Sequence, residues 1–159
     1  MTKKQEEILK DLTDFLHLAN KNTFANADAK KTTSLRPESS DYHFEDGDFI
    51  YHDTYFGNRD FIGEEIVYHK EKPLWGMNYF GVTLNENITN DELGSFLEKS
   101  IMQEYKDIIP VRGPKEFTDG KWEYKFIVNG GLDRFSGTEE ILFKGSVVYR
   151  LSVQGGFLI

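Results

Sequence analysis

The chain contains the segment Phe61-Ile62-Gly63-Glu64-Glu65, and 74 residues later it contains the related segment Phe135-Ser136-Gly137-Thr138-Glu139. A second recurrence, at an offset of 73, links Asp46-Gly47-Asp48-Phe49-Ile50-Tyr51 to Asp119-Gly120-Lys121-Trp122-Glu123-Tyr124. The first match extends without a gap from 61–81 to 135–155, and it preserves parity, as two copies of one sheet would. Matches in the same order across strand-like segments predict a duplicated structural unit.

An amphipathic helix is predicted at the start of each copy. The first has Thr2 and Gln5 at capping-box spacing and an apolar stripe to about Asn20. The second has Thr89 and Glu92 at the same spacing. Its apolar stripe, which ends before Pro110, consists of Leu93, Phe96, Leu97, Ile101 and Tyr105. Between helix and strands, Arg36-Pro37 in the first copy answers loosely to Arg112-Gly113-Pro114 in the second.

Three strands follow each helix. Alternating apolar residues and turn signals place them at 49–55, 65–68 and 74–80, and again at 122–128, 135–143 and 146–153. Residues 21–41 are polar and are predicted to form a long loop. The fold class is therefore α+β, an internally duplicated αβββ-αβββ unit whose antiparallel sheet carries two amphipathic helices on one face. We expect a single domain over 1–159, with repeat 1 at about 1–88 and repeat 2 at about 89–159.

Composition excludes several classes of function. The 159 residues include no cysteine, which removes disulfides, thiolate catalysis and cysteine-ligated zinc. The net charge of −8 disfavours the cationic surface that nucleic-acid binding needs. No apolar run is long enough to span a membrane, and no targeting segment is evident, so we expect a soluble cytoplasmic protein.

The main candidate site residue is Asp53. Aligning the copies by their Asp-Gly turns puts Tyr51, Asp53 and Tyr55 on one face and places Asp53 opposite Phe126. A carboxylate between two tyrosines on an aromatic face is costly to desolvate, so it indicates a polar group aimed into a pocket. The alternative is an aspartate at an open sheet edge, or one bonded by a neighbouring tyrosine.

Two glutamates, Glu65 and Glu139, share the parity of apolar strand positions, so each copy points one carboxylate toward an apolar surface. Such a pair can act as acid and base or bind a cation. It can instead accept hydrogen bonds from Arg59 and Arg134 in a structural role.

Trp75 and Tyr79 are candidates for the wall of a ligand cleft, although strand spacing also fits core packing. The four histidines lack a metal-binding spacing. No nucleophile elbow, phosphate loop or dinucleotide fingerprint is present. We therefore predict no metal and no cofactor.

Five segments carry a resemblance to an uncharacterised bacterial domain family. They are Glu45-Asp46-Gly47-Asp48-Phe49, Asp53-Thr54-Tyr55, Phe61-Ile62-Gly63-Glu64-Glu65, Trp75-Gly76-Met77-Asn78-Tyr79 and Arg112-Gly113-Pro114. Domains of that family often follow an Xre-type helix-turn-helix segment, so the resemblance implies a sensing module. The general plan is also similar to the duplicated effector domains of the gyrase-inhibitor-like group.

The leading hypothesis is a small-molecule effector-binding module with a cleft between the two units. Its aromatic walls would be Tyr51, Tyr55, Trp75 and Tyr79, and Asp53 and Glu65 would recognise a cationic or hydrogen-bond-donating ligand. One alternative is a hydrolase or isomerase with Asp53 or Glu65 as general base and Tyr51 or Tyr79 as donor. Another is a protein-interaction module, with a second copy of the chain as one candidate partner.

Overall fold

The computed structural model describes residues 3–26, 28–34 and 36–158. In chain order, the helices and strands are α1 (Lys3–Asn22), β1 (Ser40–Asp46), β2 (Phe49–Gly57), β3 (Phe61–His69), β4 (Lys72–Thr83), α2 (Asn90–Ile101), β5 (Glu116–Asp119), β6 (Trp122–Gly131), β7 (Arg134–Phe143) and β8 (Ser146–Phe157). The α+β class with an antiparallel sheet is confirmed. Within the described ranges, neither helix combines the length and apolar character needed to cross a membrane.

The eight strands form one antiparallel sheet in the order β1-β2-β3-β4-β8-β7-β6-β5. From each edge to the centre the strands follow chain order, β1 to β4 from one side and β5 to β8 from the other, so β4 and β8 are neighbours at the centre. Tyr79 and Val153, which are equivalent under the 74-residue offset, are themselves cross-strand partners at this seam. We call α1 with β1–β4 the first half and α2 with β5–β8 the second half.

The prediction of three strands in each copy is wrong, because each half contains four. The missed strands are β1 and β5, which are the two edges of the sheet. An edge strand has one neighbour and needs little apolar character. Accordingly β1 has only Tyr42 and Phe44 as apolar residues, and β5 is four residues long with Phe117 alone.

The predicted helix boundaries are partly right. The capping box of α2 is confirmed, since Thr89 Oγ1 accepts from the Glu92 backbone N–H and the Glu92 carboxylate accepts from that of Thr89. The helix ends before Pro110 as predicted, but it ends already at Ile101, so Tyr105 of the predicted apolar stripe lies in the following loop. The predicted cap of the first helix, Thr2, lies outside the described residues.

The core joins residues of both helices to one face of the sheet. Phe15 of α1 stacks on Phe49 with ring centroids 5.1 Å apart, and Phe96 of α2 stacks on Trp122 at 5.3 Å. Burying a side chain of this size contributes roughly 1.5–3 kcal/mol. These ring contacts join α1 to β2 and α2 to β6.

Candidate functional site

Asp53 occupies the middle of β2, on the face toward the helices. Its cross-strand partners are Tyr42 on β1 and Glu65 on β3. The exposed fractions of Asp53 and Glu65 are 2% and 1%. Directly opposed residues of an antiparallel pair have Cβ atoms about 4.5–5.5 Å apart, so two carboxyl groups stand side by side in the core.

One hydrogen bond reaches this pair from across the sheet. The Tyr79 hydroxyl on β4 donates to Asp53 Oδ1 at 2.6 Å. Since β3 lies between β4 and β2, the Tyr79 ring must pass over β3, and it does so at Gly63. A Cβ at Gly63 would lie 2.4 Å from the Tyr79 hydroxyl oxygen. The missing side chain at Gly63 therefore allows Tyr79 to reach Asp53.

Burial raises the pKa of Asp53 from 3.8 to about 7, although the hydrogen bond from Tyr79 and the charge of Arg112 work in the opposite direction. The pKa of Glu65 is raised well above its usual value, first by burial and then by the charge of Asp53. Two adjacent carboxyl groups with little compensation do not both ionise near neutral pH.

Three buried oxygens beside Asp53 make no well-formed hydrogen bond to the described residues. They are the two carboxyl oxygens of Glu65 and the Tyr51 hydroxyl oxygen. Tyr51 nevertheless lies close enough to Glu65 to oppose the rise in the pKa of that carboxyl. Buried polar groups are satisfied in the great majority of cases, so an unsatisfied cluster next to a cavity is informative.

The second half treats its buried carboxylate differently. Glu139, with an exposed fraction of 0%, pairs with Arg112, whose Nε and Nη2 donate to its two oxygens at 2.9 and 2.8 Å. The hydroxyls of Tyr124 and Tyr149 donate to the same carboxylate at 2.6 and 3.2 Å. This network is a fully bonded bidentate ion pair.

The arginines in the predicted structural pairing have other partners. Arg59 donates to the backbone carbonyls of Asn85 and Ile88, and Glu139 is held by Arg112 instead of Arg134. Arg36, the loose equivalent of Arg112, lies near the outer surface with Nη2 3.6 Å from Glu64. The first half therefore lacks an arginine on its buried carboxyl pair.

A pocket of about 430 Å³ opens onto Asp53 on the helix-covered face. Its aromatic lining consists of Phe24, Tyr42, Tyr55, Phe61 and Tyr79, and its charged lining consists of Lys31, Asp53, Glu98 and Arg112. Gly94 of α2 also borders it, and a Cβ at Gly94 would meet no atom within 4 Å. Its volume falls in the range of small-molecule sites.

The family described as Domain of unknown function (DUF5680) matches residues 53–158. The chain belongs to this family. A search of the curated proteins found no match, and a search of the solved structures found none. The matched region of this DUF5680 member begins at Asp53 itself and includes Tyr79 and Arg112, whereas Lys31 and Tyr42 of the pocket precede it.

The residues predicted for the site divide into three groups. Asp53, Tyr55 and Tyr79 line the pocket. Glu65 and Tyr51 are buried beside Asp53, and they are not part of the pocket lining.

The remaining two predicted residues lie away from the pocket lining. Trp75 is fully buried, and its Nε1 donates to the Leu132 carbonyl at 3.0 Å. Glu139 belongs to the ion pair of the second half. The predicted cleft between the two units is thus a pocket built mainly from the first half, with α2 and Arg112 supplying one side.

Sequence reasoning missed the pocket residues that come from loops, from β1 and from α2. They include Phe24, Lys31, Tyr42, Glu98 and Arg112. Their contacts to the Asp53 region depend on tertiary packing, and no local pattern marks them. The one usable signal was the weak correspondence of Arg112 to Arg36.

The described ranges contain no group of three or more histidine or acidic side chains arranged to hold a metal ion. On the opposite face of the sheet, a shallower depression of about 1020 Å³ includes Ile62, Phe80 and Ile127, which are exposed. None of the fully buried carboxyl groups borders that depression, whereas Asp53 lines the smaller pocket, so the Asp53 pocket is the stronger candidate.

Proposed function

We propose that the protein is a small-molecule effector-binding module whose ligand occupies the Asp53 pocket. The observation that carries the proposal is a buried carboxyl group at a pocket lining, with Tyr79 as its hydrogen-bond donor and aromatic rings around it. A cationic or hydrogen-bond-donating organic molecule fits such a site, because it adds a counter-charge or a further donor to a carboxylate that Tyr79 alone bonds within the described side chains.

The electrostatics of the site support a ligand role over a purely structural one. Glu139 shows how this sheet stabilises a buried carboxylate when no ligand is needed, with an arginine and two tyrosines. Asp53 and Glu65 have no comparable set, so they keep raised pKa values. Such uncompensated groups are typical of binding and catalytic sites.

The wider regulatory part of the hypothesis belongs to the same proposal. In it, two related units form the sheet, both helices cover one face, and the pocket senses an effector for a bacterial regulator with an Xre-type helix-turn-helix segment. The strand order supports the idea of two related units, because four consecutive strands run from each edge of the sheet to its centre. The resemblance supports the last.

A second candidate function is a hydrolase or isomerase with Asp53 as general base. The pKa of Asp53 near 7 favours it, because proton transfer at neutral pH is most efficient with a base in that range. Tyr79 would then orient the carboxylate. Turnover of a bound ligand, lost in Asp53→Asn while binding persists, distinguishes this candidate from simple binding.

The test is a thermal-shift screen of the purified protein against a broad panel of metabolites and cations. A ligand at 100 times its dissociation constant adds about 2.7 kcal/mol of stability. Each hit is repeated on Asp53→Asn and on Gly94→Leu, which extends a side chain into the pocket from a position where a Cβ meets nothing within 4 Å.

A stabilisation that disappears in both variants supports the proposal. Glu140→Gln is the matched control, because it removes one negative charge from the other face of the sheet, where Glu140 pairs with Arg150. A shift that persists in Gly94→Leu places the site elsewhere. No shift from any compound overturns the proposal and favours a protein-interaction module.

A further inference from the structure

We propose that the ligand carries a planar amidinium or guanidinium group that pairs with Asp53 and supplies to the first half the counter-charge that Arg112 supplies to the second. This inference rests on the proposed binding function and names the chemical class of the ligand. It begins from the equivalent positions in the two halves of the sheet.

The two buried glutamates occupy corresponding positions. Glu65 lies across from Met77 on β4, and Glu139 lies across from Leu151 on β8. On their other sides the partners differ, since Glu65 faces Asp53 whereas Glu139 faces Phe126. The buried glutamate of the first half therefore has a second carboxyl group beside it, where the glutamate of the second half has a phenylalanine ring.

The hydroxyl partners correspond as well. Tyr51 faces Val67 on β3, and Tyr124 faces Ile141 on β7, two residues beyond the glutamate in each case. The Tyr124 hydroxyl donates to Glu139, while the Tyr51 hydroxyl has no partner among the described residues. The tyrosine hydroxyl is thus bonded in the half where the glutamate is bonded by an arginine, and it is not bonded in the other half.

What the first half lacks is a cation bonded to its buried carboxyl pair, since Lys31 of the pocket lining donates to Ser40 and lies over the Tyr55 ring instead. Arg112 enters the second half from the loop before β5 and engages Glu139 through two nitrogens. In the first half, Arg36 instead lies over the Phe56 ring, 5.1 Å from its centroid, with its side chain 51% exposed. No arginine of the first half therefore supplies the role of Arg112.

The pocket is placed to admit an external cation. It reaches Asp53, which is the carboxyl group of the pair that borders open space, while Glu65 lies behind it. A planar forked donor makes two parallel hydrogen bonds to a carboxylate, which an ammonium group does not match. The rings of Tyr42, Tyr55 and Phe61 offer surface for an apolar or aromatic body attached to that group.

The groups that face Asp53 from the surrounding elements determine how binding depends on pH. They are Lys31 before β1, Tyr42 on β1, Glu65 on β3, Tyr79 on β4, Glu98 on α2 and Arg112 before β5. Asp41 on β1 adds a smaller repulsion, which raises the pKa of Asp53. Because the pKa of Glu65 is held well above its usual range, Asp53 is the group that loses its proton near neutral pH.

The probe is benzamidinium, compared with benzamide, its neutral isostere, and with benzylamine, a cation without the planar fork. Isothermal titration calorimetry measures each dissociation constant for the wild-type protein, Asp53→Asn and the Glu140→Gln control. We expect benzamidinium to bind at least tenfold more tightly than benzamide and more tightly than benzylamine. Asp53→Asn should lose at least tenfold of the benzamidinium affinity, and Glu140→Gln should retain it.

The pH profile of the wild-type protein provides a test without mutation. Only the ionised form of Asp53 pairs with the cation, so benzamidinium affinity should rise by up to tenfold per pH unit between pH 5 and about 7 and then level off. Benzamide affinity should show no such rise.

Each of three results would overturn the inference: benzamide binds as tightly as benzamidinium, Asp53→Asn keeps the benzamidinium affinity, or the benzamidinium affinity does not change with pH. If one of these results occurs while a compound of the metabolite panel binds and Gly94→Leu abolishes that binding, the proposed binding function remains supported. Only the proposal of an amidinium or guanidinium ligand is then overturned. Absence of benzamidinium binding also overturns the inference, and the panel then decides the binding function separately.

Discussion

Glu139 and Glu65 occupy corresponding places in the two halves of one sheet, and their surroundings are opposite. Glu139 has a bidentate arginine and two tyrosine hydroxyls. Glu65 has a second carboxyl group beside it and no hydrogen bond among the described residues. The contrast shows that this fold can stabilise a buried carboxylate fully, and that it does so in only one half.

The difference has a physical cost, and the first half carries it. An uncompensated buried carboxyl group is destabilising unless it keeps its proton or finds a partner. Asp53 borders the pocket, and its raised pKa reflects that cost. The second half thus provides an internal reference for how the first would look if it were built for stability alone.

The largest expected effect comes from breaking the ion pair of the second half. Arg112→Met leaves Glu139 buried without its counter-charge, and we expect the free energy of unfolding to fall by about 3–5 kcal/mol. Urea denaturation at pH 7 measures it. Arg36→Met is the matched control, because Arg36 is half exposed and its loss should change stability by less than about 0.5 kcal/mol.

The double variant Arg112→Met/Glu139→Leu sharpens this prediction. Removing both charges eliminates the orphaned carboxylate, so most of the lost stability should return. If Arg112→Met alone is as mild as the Arg36 control, the ion pair does not stabilise the second half as described.

The next effect tests the crossing of Tyr79 over β3. Gly63→Ala places a methyl group 2.4 Å from the Tyr79 hydroxyl oxygen and 2.7 Å from the Thr54 carbonyl oxygen, so the ring must move off Asp53. We expect a loss of about 2–3 kcal/mol in the free energy of unfolding. Gly137→Ala, at the corresponding position, meets a Phe126 ring atom at 2.9 Å and should cost about 1 kcal/mol. Equal losses would contradict the assigned role of Gly63.

A pair of matched tyrosine variants compares the hydroxyl groups directly. Tyr124→Phe removes a hydroxyl that donates to Glu139 and accepts from the Gly113 backbone N–H at 2.9 Å, so we expect a loss of about 1.5–3 kcal/mol. Tyr51→Phe removes a buried hydroxyl that has no partner among the described residues, and stability should stay within about 0.5 kcal/mol or rise. A large loss in Tyr51→Phe, by thermal or urea denaturation, would show that its hydroxyl is bonded.

The effect of removing the Asp53 carboxyl group is the one whose size depends on pH. The pKa of Asp53 is raised from 3.8 to about 7 in the folded protein. Its stabilising contribution is therefore complete below about pH 4 and is lost as the pH rises to about 7. Asp53→Asn removes this loss, so the variant should match wild type at pH 4 and be more stable at pH 8 by up to about 4 kcal/mol, since each pKa unit of the shift is worth about 1.4 kcal/mol.

Urea denaturation at the two pH values measures this difference. Glu140→Gln serves again as the control, because Glu140 is only half-buried and pairs with the exposed Arg150, so its loss should give the same small change at both pH values. An Asp53→Asn variant that is less stable than wild type at pH 8 would mean that the ionised carboxylate is compensated by groups of this chain.

Much of the central architecture could be predicted from the sequence. Alternation and Asp-Gly turns predicted the inner strands, and capping-box spacing predicted the start of α2. These signals are local or follow from the period of a strand. The edge strands β1 and β5 were missed because an edge needs little apolar patterning.

The site could be predicted only in part, because its chemistry depends on distances between remote segments. The sequence indicates that Asp53 is out of place on an aromatic face. It does not reveal that Tyr79 reaches it over Gly63, or that Arg112 turns to Glu139. Those facts depend on sheet order and loop geometry, which a single sequence does not encode in any local pattern.

The central seam of the sheet also governs how the protein is made. β8 is the last strand in chain order, yet it lies in the middle of the sheet between β4 and β7. As the chain leaves the ribosome, β4 therefore waits as an open edge, with Trp75 and Tyr79 uncovered, until the final strand arrives. Pairing of such distant segments is slow, so the folding rate of this sheet should be limited by the docking of β8 between β4 and β7.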